Sequence, residues 1–227
     1  MRWLRRHENL EVGVRLKPDQ RVAPVRLVDA ISLRSRRRKL ELFLDELQPS
    51  SSATILDVGA DELGFGEGDG CGTLNFFEEL YPWPQQITAL GLQDGAAFRT
   101  RYPHIHYVQG DACALPFADG EFDVVFSNAV IEHVGDRARQ RLFVSEALRV
   151  GRRVFLTTPN RRFPLEVHTR LPVVHWLPDR FAHRVYDATG KGFAKDVHLL
   201  SNGRLESLFP GRVRIVNLGL TLVAIVD

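Results

Sequence analysis

After Ser50 the chain alternates between short apolar runs bounded by turn residues and longer stretches with apolar residues three and four apart. The runs lie at Ala53 to Val58, Ile87 to Leu92, Ile105 to Val108, Phe122 to Ser127, Val154 to Thr158, Val213 to Leu218 and Leu220 to Val226. Such alternation predicts strands joined by crossover helices, hence a parallel sheet of the α/β class. The first run, Ala-Thr-Ile-Leu-Asp-Val, is almost continuously apolar, as a strand covered on both faces requires. Arg137 to Val150 places Ala138, Leu142, Phe143, Ala147, Leu148 and Val150 at helical spacing, and Ser35 to Leu47 does the same with Leu40, Leu42, Phe43 and Leu47. The last two runs are separated only by Gly219 and its neighbours, too few residues for a crossover, so they predict an antiparallel hairpin. The expected architecture is a doubly wound seven-stranded sheet, mostly parallel, with a C-terminal antiparallel hairpin and helices on both faces.

Two regions interrupt the alternation. Residues 1–31 have no clean period and read as a basic N-terminal arm ahead of a body over 32–227. Residues 161–196 hold three prolines, Pro164, Pro172 and Pro178, with Trp176, Phe181, His168, His175 and His183, and read as an inserted cap. The 227 residues, 44% hydrophobic and 26% charged, suit one folded body. Net charge is only +2, but Met1 to Leu40 carries 12 Lys and Arg against 4 acids. That distribution excludes a global drive toward nucleic acid and leaves a local basic arm. Cys71 and Cys113 are too few for a disulfide framework, and no window reaches the roughly 20 apolar residues of a membrane span. A cytoplasmic setting is expected.

The chemistry concentrates at strand ends. Leu56-Asp57-Val58-Gly59, Gly110-Asp111-Ala112 and Phe122-Asp123-Val124-Val125-Phe126-Ser127-Asn128 each finish a predicted strand. In doubly wound sheets ligands bind outside the carboxyl ends of the strands. Here, with Leu115-Pro116-Phe117 and Ile131-Glu132-His133-Val134, the chain resembles the class I S-adenosylmethionine-dependent methyltransferases, in particular the UbiE and UbiG type acting on quinones and other small molecules. The resemblance runs from about Ala53 to Asn160. It implies a Rossmann-like fold, S-adenosyl-L-methionine as cofactor, and a cofactor site comprising Asp57, Gly59, Ala60, Asp94, Asp111, Ala112 and Asn128. It also implies that Asp111 takes the adenine amino group and the Ala112 amide a ring nitrogen.

Three departures stand beside the match. The glycine turn is opened by Asp61-Glu62-Leu63-Gly64-Phe65-Gly66-Glu67-Gly68-Asp69-Gly70, whose acids suit a sulfonium better than a phosphate. The second strand ends at Gly91, where the family has a ribose-binding acid, leaving Gln93 or Asp94 to substitute; Asp94 equally suits a helix cap. UbiG-type enzymes carry a cation-site acid three residues before the glutamate, where this chain has Ala129, so no metal is expected.

Methyl transfer to a hydroxyl needs alignment and a base. His168 and His133 are the candidate catalytic residues, and Glu166, Arg161 and Trp176 the candidate substrate contacts. A small-molecule acceptor methylated at oxygen is the expected substrate. A homodimer is compatible with the sequence, while nucleic acid is disfavoured by Ser127-Asn128-Ala129-Val130, which lacks the Asp-Pro-Pro-aromatic pattern of amino-methylating enzymes. The alternatives are a catalytically decayed scaffold of the same fold and a nucleic acid methyltransferase using the basic arm.

Overall fold

A computed structural model describes residues 27–62 and 75–227, with side chains from Leu33 onward. The first part of the basic arm, Cys71 and most of the glycine-rich turn lie outside the described residues. The seven strands follow the order β3-β2-β1-β4-β5-β7-β6, and the chain divides into two compact units, residues 1–109 and 110–227.

In the first unit, α1 (Leu27–Leu47) precedes β1 (Ile55–Val58), α2 (Phe76–Leu80), β2 (Ile87–Gly91), α3 (Ala96–Arg101) and β3 (His106–Gln109). β1 pairs with β2 and β2 with β3, both parallel. Every residue of β1 is buried, as its unbroken apolar run requires. α1 buries Leu40, Phe43, Leu44 and Leu47; Leu44 is buried where Leu42 was expected. Phe43 meets the Phe77 ring edge-on at 5.2 Å, and Phe77 stacks on Tyr81 at 4.9 Å. Aromatic packing therefore anchors the short α2, which has too few turns to be stable alone. Arg34, Arg37 and Arg38 are exposed, but Lys39 is buried with its Nζ 5.7 Å from the centre of the Phe76 ring.

The second unit contains β4 (Phe122–Asn128), α4 (Arg137–Val150), β5 (Gly151–Pro159), α5 (Asp179–Ala188), α6 (Asn202–Glu206), β6 (Arg214–Asn217) and β7 (Thr221–Val226). β4 and β5 are parallel, whereas β7 runs antiparallel to both β5 and β6, giving the expected hairpin. Asp136 caps α4, its carboxylate accepting from the backbone N–H of Ala138 and Arg139 at 3.0 Å each. The buried stripe of α4 is Gln140, Phe143, Val144, Ala147 and Val150, with Leu142 left exposed. Residues 161–196 contain α5 and two short 3-10 turns around a small core of Ala182, Tyr186 and Ala194. Among the described residues no helix is long and apolar enough to cross a membrane.

Candidate active site

In the first unit the end of β1 turns sharply. Gly59 has φ +108, a conformation that favours glycine, and the N–H groups of Gly59 and Ala60 both donate to the Leu90 carbonyl, at 2.8 and 3.0 Å. Beyond Ala60, the Asp61 N–H donates to the Asn75 side chain at 2.9 Å and the Asn75 amide donates back to the Asp61 carbonyl at 2.7 Å. This reciprocal pair ties together the two described ends of the glycine-rich segment.

Asp57 is 6% exposed and sits beside Glu78, itself 3% exposed. Apart from Asp57, no hydrogen-bond partner among the described residues reaches the Glu78 carboxylate. Burial and the neighbouring Glu78 push Asp57 well above the usual carboxylate range, and burial pushes Glu78 up to about 7. Such a buried acid pair favours a shared proton or a nearby cation. This donor set fits the cationic methionine end of S-adenosylmethionine.

The end of β2 explains one departure from the family. A Cβ added at Gly91 would collide with the Tyr107 hydroxyl and lie 2.5 Å from the Ala60 carbonyl oxygen. The Tyr107 hydroxyl donates to the Gln93 carbonyl at 3.0 Å, fixing the ring there. Position 91 therefore cannot carry an acid, whatever the cofactor needs. Asp94 accepts from the Ala96 N–H at 2.9 Å at the start of α3, the capping geometry its sequence context allowed.

In the second unit Asp111 accepts from the Cys113 N–H at 2.8 Å and from the Arg139 guanidinium at 2.9 and 3.2 Å. The Cys113 N–H first, then Arg139, hold its carboxyl below the ordinary range despite partial burial. The Asp111 carboxylate thus already holds Arg139, a partner the sequence reading missed. Ala112 is buried, and Asn128 accepts from the Thr157 hydroxyl at 2.8 Å.

The catalytic candidates come together. Ala129, at φ +58, redirects the chain after β4, and its N–H donates to the Thr157 carbonyl at 2.9 Å. The following turn presents His133, whose Nε2 lies 3.1 Å from Nε2 of His168. His168 belongs to a tight loop closed by the Val173 N–H on the Pro164 carbonyl at 2.6 Å and the Arg170 N–H on the Glu166 carbonyl at 2.7 Å. Inside this loop one carboxylate oxygen of Glu166 accepts from the His168 N–H at 3.0 Å and from Nδ1 at 2.7 Å, and the other from the Thr169 N–H at 2.6 Å. Glu166, expected as an acceptor contact, thus gives its carboxylate to orienting His168.

The two histidines are driven apart electrostatically. Burial alone lowers His168, but the Glu166 hydrogen bond, with the charges of Glu132 and Glu166, raises it above 6.5. His133 falls to about 4, first by burial and then by His168. Glu166 stays at about 2 because its hydrogen bonds outweigh burial. Paired groups displaced in opposite directions are the usual substrate of acid and base assignments. Glu132, which the sequence reading left inside a motif, is fully buried, accepts from the Thr158 hydroxyl at 3.0 Å and lies 3.8 Å from His168 Nε2. An acid ending an otherwise apolar turn was the only signal of it. Glu132, His133 and His168 each bring one potential ligand atom within 4.8 Å of the others, although the two imidazoles stand at hydrogen-bond distance from each other.

Of the remaining candidates, Trp176 is 49% exposed and donates from Nε1 to the Arg161 carbonyl at 2.7 Å. Tyr186 belongs to the cap core, while Phe181 is exposed.

Residues 69–153 match the family model described as a methyltransferase domain. The chain is 35% identical over 105 residues to the probable S-adenosylmethionine-dependent methyltransferase Rv3030 of Mycobacterium tuberculosis, covering 44% of this chain and 35% of that protein. It is 28% identical over 145 residues to the chloroplastic 2-phytyl-1,4-beta-naphthoquinone methyltransferase of Arabidopsis thaliana, covering 62% and 56%. These matches span less than two-thirds of the length of those relatives. The PH0226 protein of Pyrococcus horikoshii shares the fold, with TM-score 0.56, 15% identity and coverage of 90% of this chain and 95% of that one. Over these residues the chain is similar to the S-adenosylmethionine-dependent methyltransferases.

Proposed function

We propose that the protein transfers a methyl group from S-adenosylmethionine to a hydroxyl of a small, ring-bearing acceptor in the cytoplasm. The observation that carries this reading is the His133–His168 pair backed by Glu166 in a chain whose residues 69–153 match a methyltransferase domain. Similarity to a naphthoquinone methyltransferase supports a ring-bearing acceptor.

The cofactor, when bound, supplies an electrophilic methyl on a sulfonium, with a neutral thioether as leaving group. Asp57 and Glu78 would offer negative charge to its cationic end, and the resemblance assigns Gly59, Ala60, Asp94, Asp111, Ala112 and Asn128 to the rest of the cofactor. The chain's own contribution to the step is a proton sink. As the acceptor oxygen forms its bond to the methyl carbon, its proton passes to the unprotonated histidine pair, and the carboxylate of Glu166 stabilises the imidazolium that results at His168. The attack needs no further base.

The test is calorimetric titration with S-adenosylmethionine and S-adenosylhomocysteine. Micromolar binding, on the order of −8 kcal/mol, is expected, followed by methylation of hydroxylated aromatic acceptors. Absence of heat and of a thermal shift at millimolar cofactor would overturn the reading and favour a decayed scaffold.

A further inference from the structure

A cavity of about 490 Å³ lies within the second unit, between the start of α4, α5 and the segment leading into α6. Its size suits a small ligand. Tyr186, Ala182, Leu200 and Leu208 give it an apolar floor, and Glu166 forms part of its wall. The charges facing it are Arg137, Arg161, Lys195 and Arg204 against Glu166 and Asp179. Several of these are already engaged. Lys195 pairs with Asp187 at 2.6 Å, Arg137 donates to the Ser207 hydroxyl at 3.1 Å, and the Glu166 carboxylate serves His168 and Thr169. Among the described residues neither Arg161 nor Arg204 has its guanidinium in an ion pair or hydrogen bond, although both line the cavity and a neighbouring recess bounded by Arg162, Trp176 and Ser201.

The backbone carrying Arg161 is nevertheless held firmly. Its N–H donates to the Leu200 carbonyl at 3.0 Å, and its carbonyl accepts from His175 Nε2 at 3.0 Å and Trp176 Nε1 at 2.7 Å. His175 is one of the two side chains that steady this carbonyl. It is 8% exposed and lines the cavity; its Nε2 faces the carbonyls of Arg161 and Phe163, both at 3.0 Å, and so carries the proton. Its Nδ1 is buried with no hydrogen-bond partner.

We propose that this cavity holds an anionic group of the acceptor, a carboxylate or a phosphate on an apolar or ring-bearing body. Arg161 and Arg204 receive the anion. Guanidinium groups are suited to both oxyanions because their forked N–H donors match them in pairs. The inference rests on the methyltransferase reading for the word acceptor. Binding of the anion stands or falls separately. Because Glu166 faces this cavity and also orients His168, the acceptor's anchor and the proton sink share one wall.

Benzoate, phenyl phosphate and neutral benzyl alcohol are the probes, each titrated into the full chain by calorimetry and ligand-observed NMR, with S-adenosylhomocysteine titrated in parallel. One or both anions bind in the millimolar range or tighter and benzyl alcohol does not; the tighter anion identifies the carboxylate or phosphate source. R161M/R204M weakens that anion by about tenfold or more, as expected for losing charge-assisted hydrogen bonds, while its affinity for S-adenosylhomocysteine and its thermal midpoint stay at the wild-type values. The single variant R204Q, at an exposed position, gives a smaller loss in the same direction and serves if the double variant is poorly folded. The proposal is overturned if neither anion binds, if benzyl alcohol binds equally well, or if R204Q and R161M/R204M bind as the wild type does. Anion binding without S-adenosylhomocysteine binding would overturn the methyltransferase reading and leave the site; the reverse result would remove the site alone.

Discussion

Glu166→Gln separates the electrostatic work of the cap loop from its shape. The substitution keeps the size of the side chain but removes the charge, and it places an N–H₂ group where one oxygen now accepts from a backbone N–H or from His168. In the folded chain burial alone would raise Glu166, yet its hydrogen bonds hold it at about 2, against 4.5 for the ordinary side chain. At ~1.4 kcal/mol per pH unit this corresponds to about 3 kcal/mol as an upper bound, and about 2 kcal/mol after allowance for solvent screening at the cap edge. Because the folded value is depressed, the contribution is fully present above pH 4.5 and is lost as the pH falls toward 2. Urea unfolding followed by circular dichroism at pH 7 and at points down to pH 3 measures it. The variant should be about 2 kcal/mol less stable at pH 7, and its stability should fall less steeply than wild type below pH 4.5. Equal stability at pH 7 together with an unchanged acid slope would refute the account of Glu166 as a charged organiser of the loop.

His168→Ala should abolish acceptor turnover, by a factor of about 100 or more, while S-adenosylhomocysteine affinity persists; wild-type turnover should have its acid limb above pH 6.5, because His168 is raised, and Glu166→Gln should move that limb downward. Asp111→Ala should weaken S-adenosylhomocysteine about tenfold or more in calorimetry with little change in thermal midpoint, since the Arg139 ion pair it breaks is substantially exposed; undiminished binding would sink that assignment. Gly91→Asp, which restores the family's acid, should lower the thermal midpoint instead of tightening the cofactor, because the new Cβ meets the Ala60 carbonyl and the Tyr107 hydroxyl. Dialysis against EDTA should leave turnover unchanged; a loss restored by a divalent cation would reassign Glu132, His133 and His168 as ligands.

Strand positions, the hairpin and the extent of α4 were legible in the sequence because they follow from apolar periodicity and end at local signals. Arg137 to Val150 is helical over the predicted range, with Asp136 capping it, and each apolar run overlaps a strand, although β5 extends past its run at both ends. Which helical residues are buried was less legible. Leu44 replaced Leu42 and Gln140 entered the α4 stripe, because a neighbour's shape selects the face within a broad stripe; the Gln140 amide goes inward to donate to the carbonyls of Ile131 and His198, at 3.2 Å each. The burial of Lys39 was not legible, because its position above Phe76 depends on a residue from another helix.

The sequence by itself determined the family resemblance, the acids at the strand ends and the histidines worth watching, since these rest on residue type and order. Only the tertiary structure decided their partners. It joined His133 to His168 across 35 positions, turned Glu166 from an acceptor contact into the holder of His168, and placed the Tyr107 ring where an acid at position 91 would stand. It also set Arg161, Arg204 and His175 around one cavity. Hydrogen bonds and desolvation act through a few ångströms of space, and the distance between residues far apart in the chain is fixed only when the sheet and cap have packed.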